Sequence, residues 1–147
     1  MPETDIAFEA DRFIKTFARL MGGQLERKAL TVSRGEFGVL MFLSTQDQGV
    51  TSGMIQDAMR IGAGGVANLL KSMDRKGFIS KEQDHTDRRA NCILMTEKGH
   101  RVFSERYEQI RRSALMYMEK IGAEESATFN DILEKILEIS LSTELPE

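Results

Sequence analysis

Three groups of side chains have the types and spacing to act on a partner. The first is a charged run, Asp84-His85-Thr86-Asp87-Arg88-Arg89-Ala90, in which two adjacent guanidiniums follow a carboxylate. The second is Asn68, Lys71, Ser72 and Arg75, whose three- and four-residue spacing sets them along one side of a helix. Asn68 carries the donor and acceptor needed to pair with adenine, and Lys71 suits guanine or phosphate. The third is Thr51 and Ser52, hydroxyls at a helix start that can donate to phosphate. Together these groups suit gripping a polyanion. Plainer readings stand beside each: a surface ion pair on a hairpin, an ordinary exposed helix face, and helix capping alone for Thr51.

Bond-making chemistry finds no support. Cys92 has no credible partner histidine, the two histidines (His85 and His100) are far apart, and no phosphate loop or metal-ligand cluster occurs. An enzyme is therefore the weakest reading, and no cofactor or metal is expected. Cys92 is expected to be a small buried or half-buried thiol, His85 a polar hairpin-tip residue and His100 a surface residue. A single cysteine also excludes an internal disulfide framework.

The formal net charge of −3 argues by itself against a nucleic-acid binder, but binding depends on local charge. Between residues 60 and 101, nine Lys/Arg stand against five Asp/Glu, a local +4. Between residues 119 and 147, two Lys stand against eight acids, a local −6. A basic middle precedes an acidic arm, although an ordinary solvated surface can scatter this way too. The 147 residues suit one compact domain, and 41% hydrophobic residues with 29% charged ones exclude a disordered composition. The start, MPETDIAFEADR, is acidic and has no apolar core, so no secretory leader is expected. The longest apolar run is too short to span a bilayer, so no membrane partner is expected and the expected address is the cytoplasm.

Long helices must position these groups, because Pro2 and Pro146 are the only prolines. Residues 6–25 place Ala10, Phe13, Ile14, Phe17, Leu20, Met21 and Leu25 at helical spacing. Ser33 with Glu36 forms a capping-box pattern ahead of a second helix that is apolar nearly all round and should be buried. Thr51 suits the cap of a short third helix with Ile55, Ala58 and Met59 inside. After a tight turn at residues 60–62, a fourth helix reaches Lys76 with Val66, Leu69, Leu70 and Met73 inward. Gly77 stands where a C-cap glycine belongs. Residues 78–83 and 91–95 then read as two short strands. Thr96 begins a long fifth helix reaching about Met118. Glu124 and Glu125 mark the start of a sixth, striped by Phe129, Ile132, Leu133, Ile136, Leu137 and Leu141. Short helix, tight turn, helix and charged hairpin make a winged helix-turn-helix. Its fourth helix suits a major groove and its hairpin the neighbouring minor groove.

The run Asp87-Arg88-Arg89-Ala90-Asn91-Cys92-Ile93-Leu94-Met95-Thr96-Glu97-Lys98-Gly99 closely resembles the wing motif of the MarR family of bacterial transcription regulators. That motif is Asp-x-Arg, an alternating strand, then Thr-x-x-Gly. Leu70-Lys71-Ser72-Met73-Asp74-Arg75-Lys76-Gly77-Phe78-Ile79 is similar to the end of that family's recognition helix and the strand after it. The likeness covers nearly the whole chain and departs from the family in three places. Gly62, Gly64 and Gly65 stand where Ser/Thr-type residues usually open the recognition helix, which fits either close approach of bare N–H groups to phosphate or a frayed helix start. Met95 replaces a common leucine. Arg60 holds a turn position often given to glycine.

The resemblance implies a mainly α fold with a small β-wing, a winged helix-turn-helix lobe over about residues 33–98. Residues 5–28 and 99–142 would form a helical dimerisation region of the same 147-residue domain. It implies that Arg89 enters a minor groove, where negative potential concentrates, while Asp87 orients it and Arg88 meets phosphate or packs back. Gly64 and Gly65 join the DNA-facing set. It also implies a cleft for a small aromatic effector, drawing on Phe13, Phe17, Met21, Phe37, Met41 and Tyr107, although most of these equally suit a core. Family members that sense oxidants use a cysteine in the N-terminal helical region, where this chain has none. The expected function is a homodimeric, sequence-specific DNA-binding regulator of pseudo-palindromic operators, a repressor released by an effector. The alternative is a dimeric small-molecule-binding protein or a protein-binding adaptor with weak or lost specific DNA binding.

Overall fold

The computed structural model describes residues 6–21, 34–83 and 91–142. Its elements run α1 (Ile6–Met21), α2 (Gly35–Ser44), α3 (Ser52–Met59), α4 (Ala63–Lys76), β1 (Ile79–Gln83), β2 (Asn91–Met95), α5 (Glu97–Ile121) and α6 (Ala123–Ser142). The chain divides into two compact units, residues 1–105 and 106–147.

In the first unit, α2, α3, α4 and the hairpin close around one core. Val39, Leu40, Leu43, Val50, Ile55, Val66, Leu70, Met73, Ile79 and Ile93 are buried, with Phe103 among the side chains packed against them. Each such aliphatic side chain contributes roughly 1.5–3 kcal/mol on leaving water. Nearly the whole surface of α2 is apolar, and Phe37, Gly38, Val39, Leu40 and Leu43 are all buried. β1 and β2 pair antiparallel, Ile79 opposite Met95 and Gln83 opposite Asn91. Val50 adds an isolated bridge to Ile93, exchanging hydrogen bonds of 3.1 and 2.8 Å, and so pins the loop before α3 to the hairpin.

Two glycines are required by this packing. Gly77 ends α4 at φ 76°, a left-handed conformation that lets the chain turn into β1. Gly99 lies so near β1 that a Cβ there would sit 2.1 Å from the Phe78 carbonyl oxygen. Thr96 starts α5, accepting from the Gly99 N–H at 3.0 Å while its hydroxyl donates to the Gly77 carbonyl.

Two local expectations need correction. The N-cap of α2 is Arg34, which makes no side-chain cap bond, and Ser33 of the expected Ser33–Glu36 capping box lies outside the described residues. Glu36 instead reaches across the fold to Lys76, at 2.7 and 3.0 Å. Ala58 is exposed, leaving Ile55 as the buried anchor of α3.

In the second unit, the later part of α5 turns through Gly122, at φ 105°, into α6. Ser126 fastens that corner, its hydroxyl donating to the Met118 carbonyl at 3.1 Å. The predicted stripe of α6 is exposed throughout, from 45% at Phe129 to 71% at Leu141. Among the described residues, no helix is long and apolar enough to cross a membrane.

Candidate nucleic-acid interface

The segment from Thr51 to Gly77 is a helix-turn-helix whose ends are set by local chemistry. Thr51 is extended and its hydroxyl accepts the Met54 N–H at 3.2 Å, so α3 starts with a satisfied cap. Ser52 follows, exposed at the first turn. Arg60 ends α3 at φ 51° and ψ 44°, and Gly62 opens α4 with no side-chain cap. α4 buries Val66, Leu70 and Met73, and it turns Gly64, Gly65, Asn68, Lys71 and Arg75 to solvent. Spacings of three and four residues align most of these into one outward stripe.

Ser72 departs from that stripe. It is half-buried and its hydroxyl bonds the Glu36 carboxylate, so it braces the lobe from inside. Burial pushes the Glu36 carboxyl up. Hydrogen bonds from Lys76 and Ser72, with the charges of Lys76 and Arg75, outweigh it and hold the pKa below the ordinary glutamate value.

The basic stretch separates into two kinds of cation. Lys76 and Lys98 are structural: both ammonium groups lie over the Phe78 ring, at 5.9 and 5.7 Å, and Lys98 donates to the Lys76 carbonyl at 2.8 Å. Arg101 pairs with Glu97 at 3.7 Å. The side chains of Arg60, Lys71, Arg75 and Lys81 are exposed and make no hydrogen bond or ion pair with a described residue. Exposed cations without internal partners are what a polyanion surface can use.

The fold also gathers residues that sequence reasoning passed over. A cleft of about 240 Å³ is lined by Ser52 and Gln56 of α3, by Ala63, Val66, Ala67 and Leu70 of α4, and by Lys81, Asn91 and Ile93 of the hairpin. Ser52, the outer start of α4 and the root of the hairpin thus share one concave surface. Gln56 and Lys81 had no motif to mark them, and Asn91 lay in the wing run without a role of its own; Lys81 pairs directly opposite Ile93, so both stand on the same face of the hairpin. Asp87, Arg88, Arg89 and His85 lie outside the described residues.

Five of the six candidate effector side chains are described. Phe13 and Phe17 stack on each other along α1, ring centroids 5.4 Å apart, and both are exposed. Phe37 is buried and stacks on Phe103 at 5.6 Å, as a core residue does. Met41 is half-buried, Tyr107 is exposed in the second unit, and the Met21 side chain lies outside the described residues. Cys92 is half-buried against Gly49, where a Cβ would come within 1.9 Å of its Sγ. Among the described residues no group of three His, Cys, Asp or Glu side chains is placed to hold a metal.

Residues 30–90, which span the helix-turn-helix and the start of the wing, match the MarR family model. The chain is 24% identical to an uncharacterized HTH-type transcriptional regulator of Bacillus cereus, over 92% of this chain and 89% of the relative. In fold it is similar to a MarR family protein from Bacillus stearothermophilus, with a TM-score of 0.68, 20% identity and coverage of 90% and 93%. It is also similar to Streptococcus pneumoniae FabT, whose structure was solved in complex with DNA, with a TM-score of 0.67, 16% identity and coverage of 88% and 96%. A self-contained helix-turn-helix, a hairpin paired in the expected register and a match to the MarR family model over residues 30–90 agree, and the chain has the winged helix-turn-helix fold seen in MarR family regulators.

Proposed function

We propose that this regulator is a homodimeric transcriptional repressor acting in the cytoplasm, with residues 33–98 gripping a pseudo-palindromic operator. Residues 5–28 and 99–142 would join the two copies. The observation that carries the DNA reading is the outer stripe of α4. Asn68, Lys71 and Arg75 face solvent there, while the opposite side of the helix is locked in the core. In this reading α4 lies in a major groove, with Gly64 and Gly65 at its leading turn and Thr51 and Ser52 at a neighbouring phosphate. Arg89, oriented by Asp87, enters the adjacent minor groove, and Arg88 meets a phosphate.

Dimerisation is supported by the exposed apolar faces of α1 and α6, which a monomer leaves in water. A small aromatic ligand that favours one spacing of the two lobes would draw the population away from the DNA-competent form. A gel shift with DNA flanking the protein's own gene tests this, repeated with phenolic acids, dyes and oxidants. Release by one compound class identifies the effector. Retention with every compound leaves a regulator without this form of induction.

Arg89→Ala is expected to weaken operator binding roughly tenfold or more, with mass and helix content unchanged. Wild-type affinity in that variant would remove the hairpin from the mechanism. A second reading, a dimer that binds small molecules and has lost sequence specificity, is favoured by one feature, the side-chain-free start of α4 at Gly62, Gly64 and Gly65. A footprint on the upstream region would count against it.

A further inference from the structure

The turn between α3 and α4 carries the opposite of what its own backbone asks for. Arg60 is the one described non-glycine residue with positive φ, at 51°. Its Cβ is crowded there in a way that glycine avoids. Two and four residues later stand Gly62 and Gly64. Gly62 has an ordinary φ of −67°, and Gly64 is not among the positive-φ residues. A Cβ added at either would meet nothing within 4 Å. Arginine thus occupies the position that favours glycine, and glycines occupy positions where any side chain fits. The left-handed arginine and the glycine at 64, inside the first turn of α4, both cost the free protein stability, while Gly62 is tolerated at the N-cap.

Nothing among the described residues offsets that cost. The Arg60 side chain is exposed and makes no hydrogen bond, ion pair or ring contact with a described residue, including Asp57 one turn earlier on α3. It is not part of the core. Elsewhere in the lobe glycine is used where geometry demands it, as at Gly77 and Gly99. The reversal lies on the approach to α4, the helix whose outer stripe carries Asn68, Lys71 and Arg75. A partner that is negatively charged and comes close to bare backbone accounts for both halves of it: the guanidinium meets the charge, and the missing Cβ atoms leave room for the approach.

We infer that Arg60 is a phosphate-contacting residue of the DNA interface, aimed by its left-handed turn, with Gly62 and Gly64 keeping the adjoining surface clear for the DNA backbone. This rests on the DNA-binding reading and adds to it a position outside α4 and outside the hairpin. The contact is to phosphate, so it acts on affinity for any sequence more than on the choice between sequences.

The test compares full-length wild type, Arg60→Gly, Arg60→Lys and Gly64→Ala. Thermal melting is measured for each, with binding to DNA flanking the gene and to a scrambled duplex over a range of salt. Arg60→Gly is expected to melt at or above the wild-type temperature, because strain is relieved. It should bind both duplexes roughly tenfold more weakly, and the slope of log affinity against log salt should shrink by about one per protomer. Arg60→Lys should recover most of the affinity. Gly64→Ala should melt higher yet bind more weakly, because helix propensity improves while the surface is filled. Unchanged affinity and salt slope in Arg60→Gly, with wild type binding normally, would overturn the inference and leave the DNA reading standing. A lower melting temperature in Arg60→Gly would also overturn it, by making Arg60 structural. Failure of wild type to bind either duplex would overturn the reading and the inference together.

Discussion

The helix-turn-helix lobe and the C-terminal unit solve the burial problem differently. The lobe closes its own core: ten apolar side chains from α2, α3, α4, the α2–α3 loop and the hairpin are 7% exposed or less. In the unit of residues 106–147, Ser126 is the one described residue that is buried, while six large apolar side chains of α6 between Phe129 and Ile139 are all at least 45% exposed. Both segments are comparably apolar in pattern. The first encloses its apolar side chains, and the second leaves them exposed, as the proposed pairing of two copies requires. A lobe that must stay intact while it meets different DNA needs internal stability. Helices that join copies must keep their apolar faces for the partner.

The difference is measurable. Leu40→Ala, in the middle of the lobe core, is expected to cost about 2–5 kcal/mol of unfolding free energy by chemical denaturation. A loss below about 1 kcal/mol would mean that the core is not close-packed. Leu133→Asp, on the exposed face of α6, should dissociate the assembly at a cost of roughly 2 kcal/mol or more per interface. Sedimentation would then give a mass near 16.6 kDa, with the lobe still folded. If wild type itself sediments at that mass, the contrast has been misread. Thr51→Ala removes the α3 cap and should cost about 1 kcal/mol, with Thr51→Ser recovering most of it. If instead stability is untouched and DNA affinity falls, Thr51 belongs to the interface rather than to the cap.

The smallest effect is expected at Glu36→Gln. The Glu36–Lys76 pair is partly exposed and screened by solvent, so the loss at neutral pH is about 0.5–1 kcal/mol. The Glu36 pKa is lowered in the folded state. Its contribution is therefore fully present above the ordinary glutamate range and fades as pH falls through the folded value. Denaturation curves for the two proteins should converge on acidification; a gap that persists in acid would assign the effect to packing.

Much of this was legible in the chain because it is local. The inward set Val66, Leu70 and Met73, the Gly77 cap and both hairpin strands follow from helical periodicity, a glycine at a helix end and strand alternation. What failed was longer in range. Glu36 has the spacing of a capping box, but its partner is Lys76, 40 residues on. Ser72 has the spacing of the outer stripe, yet the Glu36 carboxylate draws it inward. Phe13, Phe17 and Phe37 look alike in sequence, yet two are exposed and one is buried, because α2 is enclosed within the lobe. Gln56, Lys81 and Asn91 come together from three elements, which no linear pattern encodes.

Periodicity, turn chemistry and the wing motif settle on their own that this chain builds a winged helix-turn-helix, since each depends on residues within a few positions of one another. The assignment of cations was left to the tertiary structure. Lys76 and Lys98 are tied down by Glu36, Phe78 and a backbone carbonyl from distant parts of the chain. Arg60, Lys71, Arg75 and Lys81 make no hydrogen bond or ion pair with a described residue, although the Arg75 charge acts on Glu36. Charge is legible in one dimension, but whether a charge is already neutralised depends on what lies within a few ångströms in three.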